Sequence, residues 1–180
     1  MYGQNSSWQD ILGGLSVKRK VFVSYHHDND QVWYNEFSRV FASTYELISD
    51  NSLDRRIDSE DPEYVERRIR ENHIKGSSIT IVLCGSETWK RKYIDWEICG
   101  TLYCKHALLG ILLPTAIILP DNTVQTPNRL ATNFHTGYAH WIRWTNNPAE
   151  LKVAIEKAEA MAKDAFRINN SLPKMKRNLS

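Results

Sequence analysis

The sequence predicts an α/β fold, a flavodoxin-like three-layer sandwich whose parallel five-stranded sheet runs in the order 2-1-3-4-5 with helices on both faces. Three observations carry this prediction. Short β-branched and aromatic runs alternate with amphipathic stretches along the chain. The run "SSITIVLCGS" (77–86) is apolar without alternation, as a strand covered on both sides should be. Finally, 180 residues with 42% hydrophobic and 24% charged side chains suffice for one substantial core and are too few for two.

"KVFVSY" (20–25) reads as the first strand, and "QVWYNEFSRVFA" after it sets Val32, Phe37, Val40 and Phe41 near helical spacing. "TYELIS" (44–49) supplies a second strand. The charged "DNSLDRRIDSED" that follows is a loop, and "PEYVERRIRENHI" is a helix with Asp61 as its cap and Pro62 in its first turn. The third strand, 77–86, ends at Gly85 and Ser86, just before Thr88 and a helix over "KYIDWEICGTLYCK" (92–105). "GILLPTAIILP" (110–120) is the fourth strand, with Pro114 placing it at an edge or interrupting it. "YAHWIRW" (138–144) is the fifth. "PAELKVAIEKAEAMAKDAF" (148–166) is an amphipathic helix of good formers, and "NNSLPKMKRNLS" reads as a frayed basic tail. The domain plan is therefore a polar extension over 1–17, one domain over 18–168 and a basic tail over 169–180.

Composition removes several functions. A net charge of +2 offers no general attraction for nucleic acid, and the acids interleaved in "DRRIDSED" and "VERRIR" cancel their arginines, leaving a solvated face. No apolar run reaches the roughly 20 residues of a membrane span, and the polar start has no signal-peptide pattern, so a cytoplasmic protein without a membrane partner is expected. Cys84, Cys99 and Cys104 are odd in number and sit in apolar segments, which suits reduced core thiols. His26, His27, Cys99, Cys104 and His106 lack the spacing of a metal site, so no metal is expected. Nucleotide cofactors are not indicated either. No glycine pattern of the dinucleotide or P-loop type occurs, and "SYHHDNDQ" lacks the glycines of a flavin phosphate loop. The third strand ends in "LCGSET", without the acceptor Asp of a phosphorylated receiver.

One acid needs an explanation. At roughly 100° per residue, Glu97 shares its helix face with Tyr93, Ile94, Gly100, Thr101 and Cys104, whereas Lys92, Asp95 and His106 project to the other side and read as the solvated face. A carboxylate facing inward must be paired, protonated or presented to a ligand. In the order 2-1-3-4-5 the crevice opens between strands 1 and 3, where Ser24, Tyr25, His26 and His27 meet Gly85, Ser86 and the helix bearing Glu97. On residues alone, a structural acid held by a backbone amide or an arginine remains open. Packing likewise remains open for Tyr25 and Trp89, and simple loop exposure for His26 and His27.

The stretches "VFVSYHHDND" and "SITIVLCGSETWKRKYIDWEI", with the polar loop and helix of 51–73 between them, resemble a bacterial Toll/interleukin-receptor-like (TIR-like) domain, and most closely the TIR-like subunits of Thoeris anti-phage systems. The resemblance covers roughly 18–145 and is most specific from Gly85 to Glu97. It departs at Tyr93, where many such domains carry Trp four residues before the acid. What the resemblance implies is cleavage of the nicotinamide–ribose bond of NAD, a substrate rather than a cofactor, with Glu97 catalytic. Tyr25, Trp89 and Tyr93 become candidates to stack on nicotinamide or adenine, and Ser24, His26 and Ser86 to bind ribose or phosphate. It also implies self-association and a nucleotide product, cyclic or linear, that reaches a separate effector. The alternative is a non-catalytic adaptor that binds other such domains through the loop of 51–61 and its helix surfaces.

Overall fold

A computed structural model describes residues 18–49, 61–74 and 76–180. The predicted extension of 1–17 and nearly all of the charged loop of 51–61 lie outside the described residues. The strands are β1 (Arg19–Ser24), β2 (Tyr45–Ser49), β3 (Ile79–Cys84), β4 (Ala107–Leu112) and β5 (His140–Arg143). Between and after them come helices α1 (His27–Phe41), α2 (Pro62–Ile69), α3 (Lys92–Tyr103), α4 (Asn128–His135) and α5 (Pro148–Ala162). All strand pairs are parallel and the order is β2-β1-β3-β4-β5, as the sequence predicts.

Alternation along β1 and β3 splits the core into two layers. Val21, Val23 and Tyr25 of the first strand region join Ile79, Ile81 and Leu83 against Phe37 and Phe41 of α1 and Leu151 and Ile155 of α5. Phe22, Val82 and Cys84 point to the opposite layer, where α2, α3 and α4 pack. All six residues of β3 are buried, which is why that strand reads as unbroken apolar sequence. β5 alternates in burial, as an edge strand with one covered face does. Asp61 caps α2 as expected, and Asn147 caps α5. The Glu63 amide donates to Asp61 Oδ1 at 3.0 Å, and Asn147 Oδ1 accepts from the Ala149 amide at 2.9 Å, with Pro148 in the first turn of α5.

Four expectations are corrected. The fourth strand runs over 107–112 rather than 110–120 and is central, between β3 and β5; Pro114 lies beyond its end, so its missing N–H removes no ladder bond. The last helix stops at Ala162, and the chain continues through a short 3-10 turn, Ala165–Arg167. α3 has no solvated face of the kind its charges suggest, because Asp95 is buried and paired with the fully buried Arg129 of α4 at 2.8 Å. The segment 169–180 is not frayed: its backbone and asparagine side chains satisfy polar groups of α3 and α4, including the Trp96 indole N–H, which donates to the Met175 carbonyl at 2.8 Å. Cys84 and Cys99 are buried and Cys104 is half-buried, with no disulfide among the described residues. No described helix is long and apolar enough to cross a membrane.

Candidate active site

Ser24 closes β1 opposite Val82 of β3 and faces the layer that holds α3. In the second turn of that helix, Glu97 Oε2 accepts the Ser24 hydroxyl proton, and the carboxylate is 6% exposed. The polar contact is not isolated. One turn further along α3, the Thr101 hydroxyl bonds the Glu97 carbonyl at 2.8 Å and lies 2.6 Å from the Thr80 hydroxyl of β3. Ser24, Thr80, Glu97 and Thr101 thus form a polar seam through an otherwise apolar layer, at the point where the strand order reverses. Gly100 admits the turn after α2 close to α3, since a Cβ there would stand 3.1 Å from Ile74 Cδ1 and 3.3 Å from Arg70 Cγ.

The other predicted contact residues are placed unequally. Tyr25 is buried on the opposite layer, its ring stacked on Tyr34 at 4.3 Å and its hydroxyl donating to Gln31 Oε1 at 3.0 Å. Burial pushes its phenol up to about 12, with the Glu97 charge adding a smaller push in the same direction. His26 is buried at the end of β1, with Nε2 3.7 Å from the exposed Asp28 carboxylate. His27 opens α1 with its ring 4.3 Å from that of Tyr25. Ser86 and Trp89 are half-exposed on the β3–α3 connection, and the Trp89 indole N–H donates to the Ser86 carbonyl at 3.1 Å. Tyr93 precedes Glu97 by one turn and packs edge-on against Trp96, with the ring centroids 5.2 Å apart. The seam joins Ser24 directly to Glu97, whereas Ser86 and Trp89 sit on the loop before α3 and Tyr93 on its first turn.

Two features escaped the sequence reading. Asp30 of α1 is 1% exposed, and its Oδ2 accepts the Thr88 hydroxyl at 3.0 Å, while the Thr88 oxygen takes the Gly85 amide at 2.7 Å. Burial holds the Asp30 carboxyl above its ordinary range, against a smaller opposite pull from the Thr88 bond. A Cβ at Gly85 would run into the Asp30 carboxylate, so a side chain there must displace either that acid or the loop that presents Ser86 and Trp89. The second feature is the Asp95–Arg129 pair, whose members lie 34 residues apart. Neither had a local signal, because Asp30 and Asp95 both sit in the first turn of a helix, where an acid reads as a surface residue. Among the described residues, no group of three or more His, Cys, Asp or Glu side chains could hold a metal ion.

The family model of the TIR-like domain of the Thoeris protein ThsB matches residues 22–117, just over half of the chain, a span that contains both Ser24 and Glu97. No curated protein matches the chain. Among solved structures, the TIR domains of the activated Roq1 resistosome directly recognizing the pathogen effector XopQ are 12% identical, with 82% of this chain and 85% of that one covered at a TM-score of 0.40.

Proposed function

The chain belongs to the family of TIR-like domains of the Thoeris protein ThsB, and from that premise we propose that it cleaves NAD at the nicotinamide–ribose bond to make an ADP-ribose-derived, cyclic nucleotide signal in anti-phage defence. The observation that carries this reading is the Glu97 carboxylate, held by Ser24 at the reversal point of the sheet.

The chemistry needs little more than one well-placed negative charge. When the bond between the ribose C1′ and the pyridinium nitrogen breaks, its electron pair goes to nitrogen, and nicotinamide leaves neutral without a proton. The positive charge moves to the ribose as an oxocarbenium ion. A carboxylate beside it stabilises that charge, and its effect strengthens where water is scarce. Glu97 has that character, and Ser24 fixes its orientation by donating a hydrogen bond to it. Ser86 and Trp89 on the loop, and Tyr93 on the first turn of α3, are the residues we assign to substrate contact, with Tyr25 and His26 supporting the end of β1. Attack on C1′ by a hydroxyl or base of the same molecule gives a cyclic product; attack by water gives ADP-ribose. The product would act on a separate effector, and copies of the chain would assemble to be active.

A second reading, an adaptor that binds other TIR-like domains without turnover, is favoured by the 6% exposure of Glu97. Mass-resolved nucleotide analysis of expressing cells, with and without phage challenge and beside Glu97→Gln, separates the two. NAD loss or a new ADP-ribose derivative in the wild type alone supports the enzyme, and the product mass distinguishes cyclisation from hydrolysis. Nucleotide pools identical to an empty control under challenge would leave the adaptor.

A further inference from the structure

The segment 169–179 lies along α3 in the opposite direction to the helix and contacts it from the third turn to the start. Near its beginning, Asn170 Nδ2 donates to the Cys99 carbonyl at 3.2 Å. Further on, the Met175 amide donates to Asp95 Oδ2 at 3.0 Å, and its carbonyl takes the Trp96 indole proton. At the far end, Asn178 Oδ1 accepts the Lys92 amide at 3.0 Å, and the Leu179 amide donates to the Lys90 carbonyl at 2.9 Å. Lys92 opens α3, so Asn178 supplies a partner for one of the amides that a helix start leaves without an intrahelical acceptor.

A buried cation secures this strap. Arg129 grips both oxygens of Asp95, through Nε at 2.8 Å and Nη2 at 3.2 Å, in the forked geometry that fixes orientation as well as distance. The same guanidinium bonds Asn170 Oδ1 at 2.7 Å and the Pro173 carbonyl at 3.2 Å. Its charge therefore ties α3, α4 and the strap together with no exposed surface. Asn133 of α4 exchanges two bonds with Asn169, at 2.8 and 3.0 Å, and fixes where the strap begins.

Glu97 lies on the other side of the helix, about 200° around the axis from Asp95. α3 is thus pinned from two directions, by Ser24 and Thr80 toward the sheet and by the strap and Arg129 away from it. We infer that residues 169–179, together with the Asp95–Arg129 pair, are a positioning device that sets the register of α3 and so aims Glu97; the inference rests on the catalytic reading of that acid. Asp95, Arg129 and the strap touch no reacting atom in this scheme. They act through the helix.

Three proteins test it: the wild type, a chain ending at Ile168, and Met175→Pro, which deletes the amide given to Asp95 while keeping Asp95 and Arg129. The expected result is amide exchange faster by about tenfold or more over 94–99 in both altered chains, with β3 and β4 unchanged and the Glu97 carboxyl resonance displaced. NAD turnover then shows kcat lowered roughly tenfold or more with KM within about twofold, because the acid acts on the transition state rather than on binding. A synthetic peptide of residues 169–180 added to the shortened chain restores exchange and kcat together. Unchanged exchange in α3 overturns the inference, as does a loosened helix with unchanged kcat. If the shortened chain does not fold, Met175→Pro decides alone by the same readings. If the wild type has no turnover even in its assembled form, the NAD reading fails, and the exchange and the Glu97 resonance still decide whether the strap sets the helix.

Discussion

Ser24, the last residue of β1, donates a hydrogen bond to Glu97 in the second turn of α3, joining the sheet's reversal point to the helix that packs over it. A hydrogen bond to an ionised group contributes about 1.5–3 kcal/mol, so the pair has a structural role whatever its chemistry. Structure and chemistry part in the substitutions. Glu97→Gln keeps the shape and a hydrogen-bond acceptor for Ser24 but removes the charge. Thermal unfolding should move by only a few degrees, while NAD cleavage falls on the order of a hundredfold or more. Ser24→Ala keeps the charge and frees its orientation, so kcat should fall roughly tenfold with some activity left. Equal activity in wild type and Glu97→Gln would return the acid to a purely structural role.

The Asp95–Arg129 pair predicts a different pattern. Both side chains are buried, so removing one partner leaves an uncompensated charge, which costs about 3–5 kcal/mol. Asp95→Asn should therefore lower the urea midpoint strongly, and Arg129→Lys should lower it less, since an ammonium keeps the charge and loses the fork. Replacing both by apolar residues of similar volume should recover much of the loss. If the double substitution cost the sum of the two single ones, the coupling would be absent.

At Gly85 the forecast is steric. Because a Cβ would run into Asp30 Oδ1, Gly85→Ala must move the loop or displace the buried carboxylate. A loss of about 1–3 kcal/mol follows from overpacking of this kind. The change should also disturb Ser86 and Trp89, which the loop carries, and so raise KM for NAD. Pairing Gly85→Ala with Asp30→Ala should relieve the clash, and a double-mutant cycle measures that relief.

How much of this was legible in the sequence depends on range. The parallel order, the polar acid on an apolar helix and the Ser24–Glu97 neighbourhood follow from strand patterning and the rule that places sites where strand order reverses. Periodicity could not reveal that Asp95 is buried, because its partner Arg129 comes from another helix and both residues look like surface charges. The strap was misread for a related reason. "NNSLPKMKRNLS" has no apolar period, yet its amides and asparagines are matched one by one to polar groups of α3 and α4, a fit that composition does not encode. Pro114 misled in the opposite direction, since a strand three residues upstream of the predicted start ends before the proline is reached.

The last prediction concerns pH and Asp30. Burial raises its carboxyl above the ordinary 3.8, with the Glu87 charge adding to that and bonds from Thr88 and the backbone opposing it. An acid whose folded value is raised binds its proton more tightly in the native state, so in the window between 3.8 and the folded value the unfolded chain holds fewer protons. Stability from this group is therefore fully present below that window and lost as pH rises through it. Asp30→Asn keeps an oxygen for the Thr88 hydroxyl and removes the titration. Glu36 and Asp121 have lowered values and act in the opposite sense, but neither interacts with Asp30, so both cancel in the difference; Glu87, whose charge does act on Asp30, is replaced by Gln in both proteins. The unfolding free energy of the Glu87→Gln chain minus that of the same chain with Asp30→Asn, measured by urea titration from pH 3 upward, should fall as pH rises and then level off. A difference that stays flat or climbs with pH would mean that burial does not govern this carboxyl.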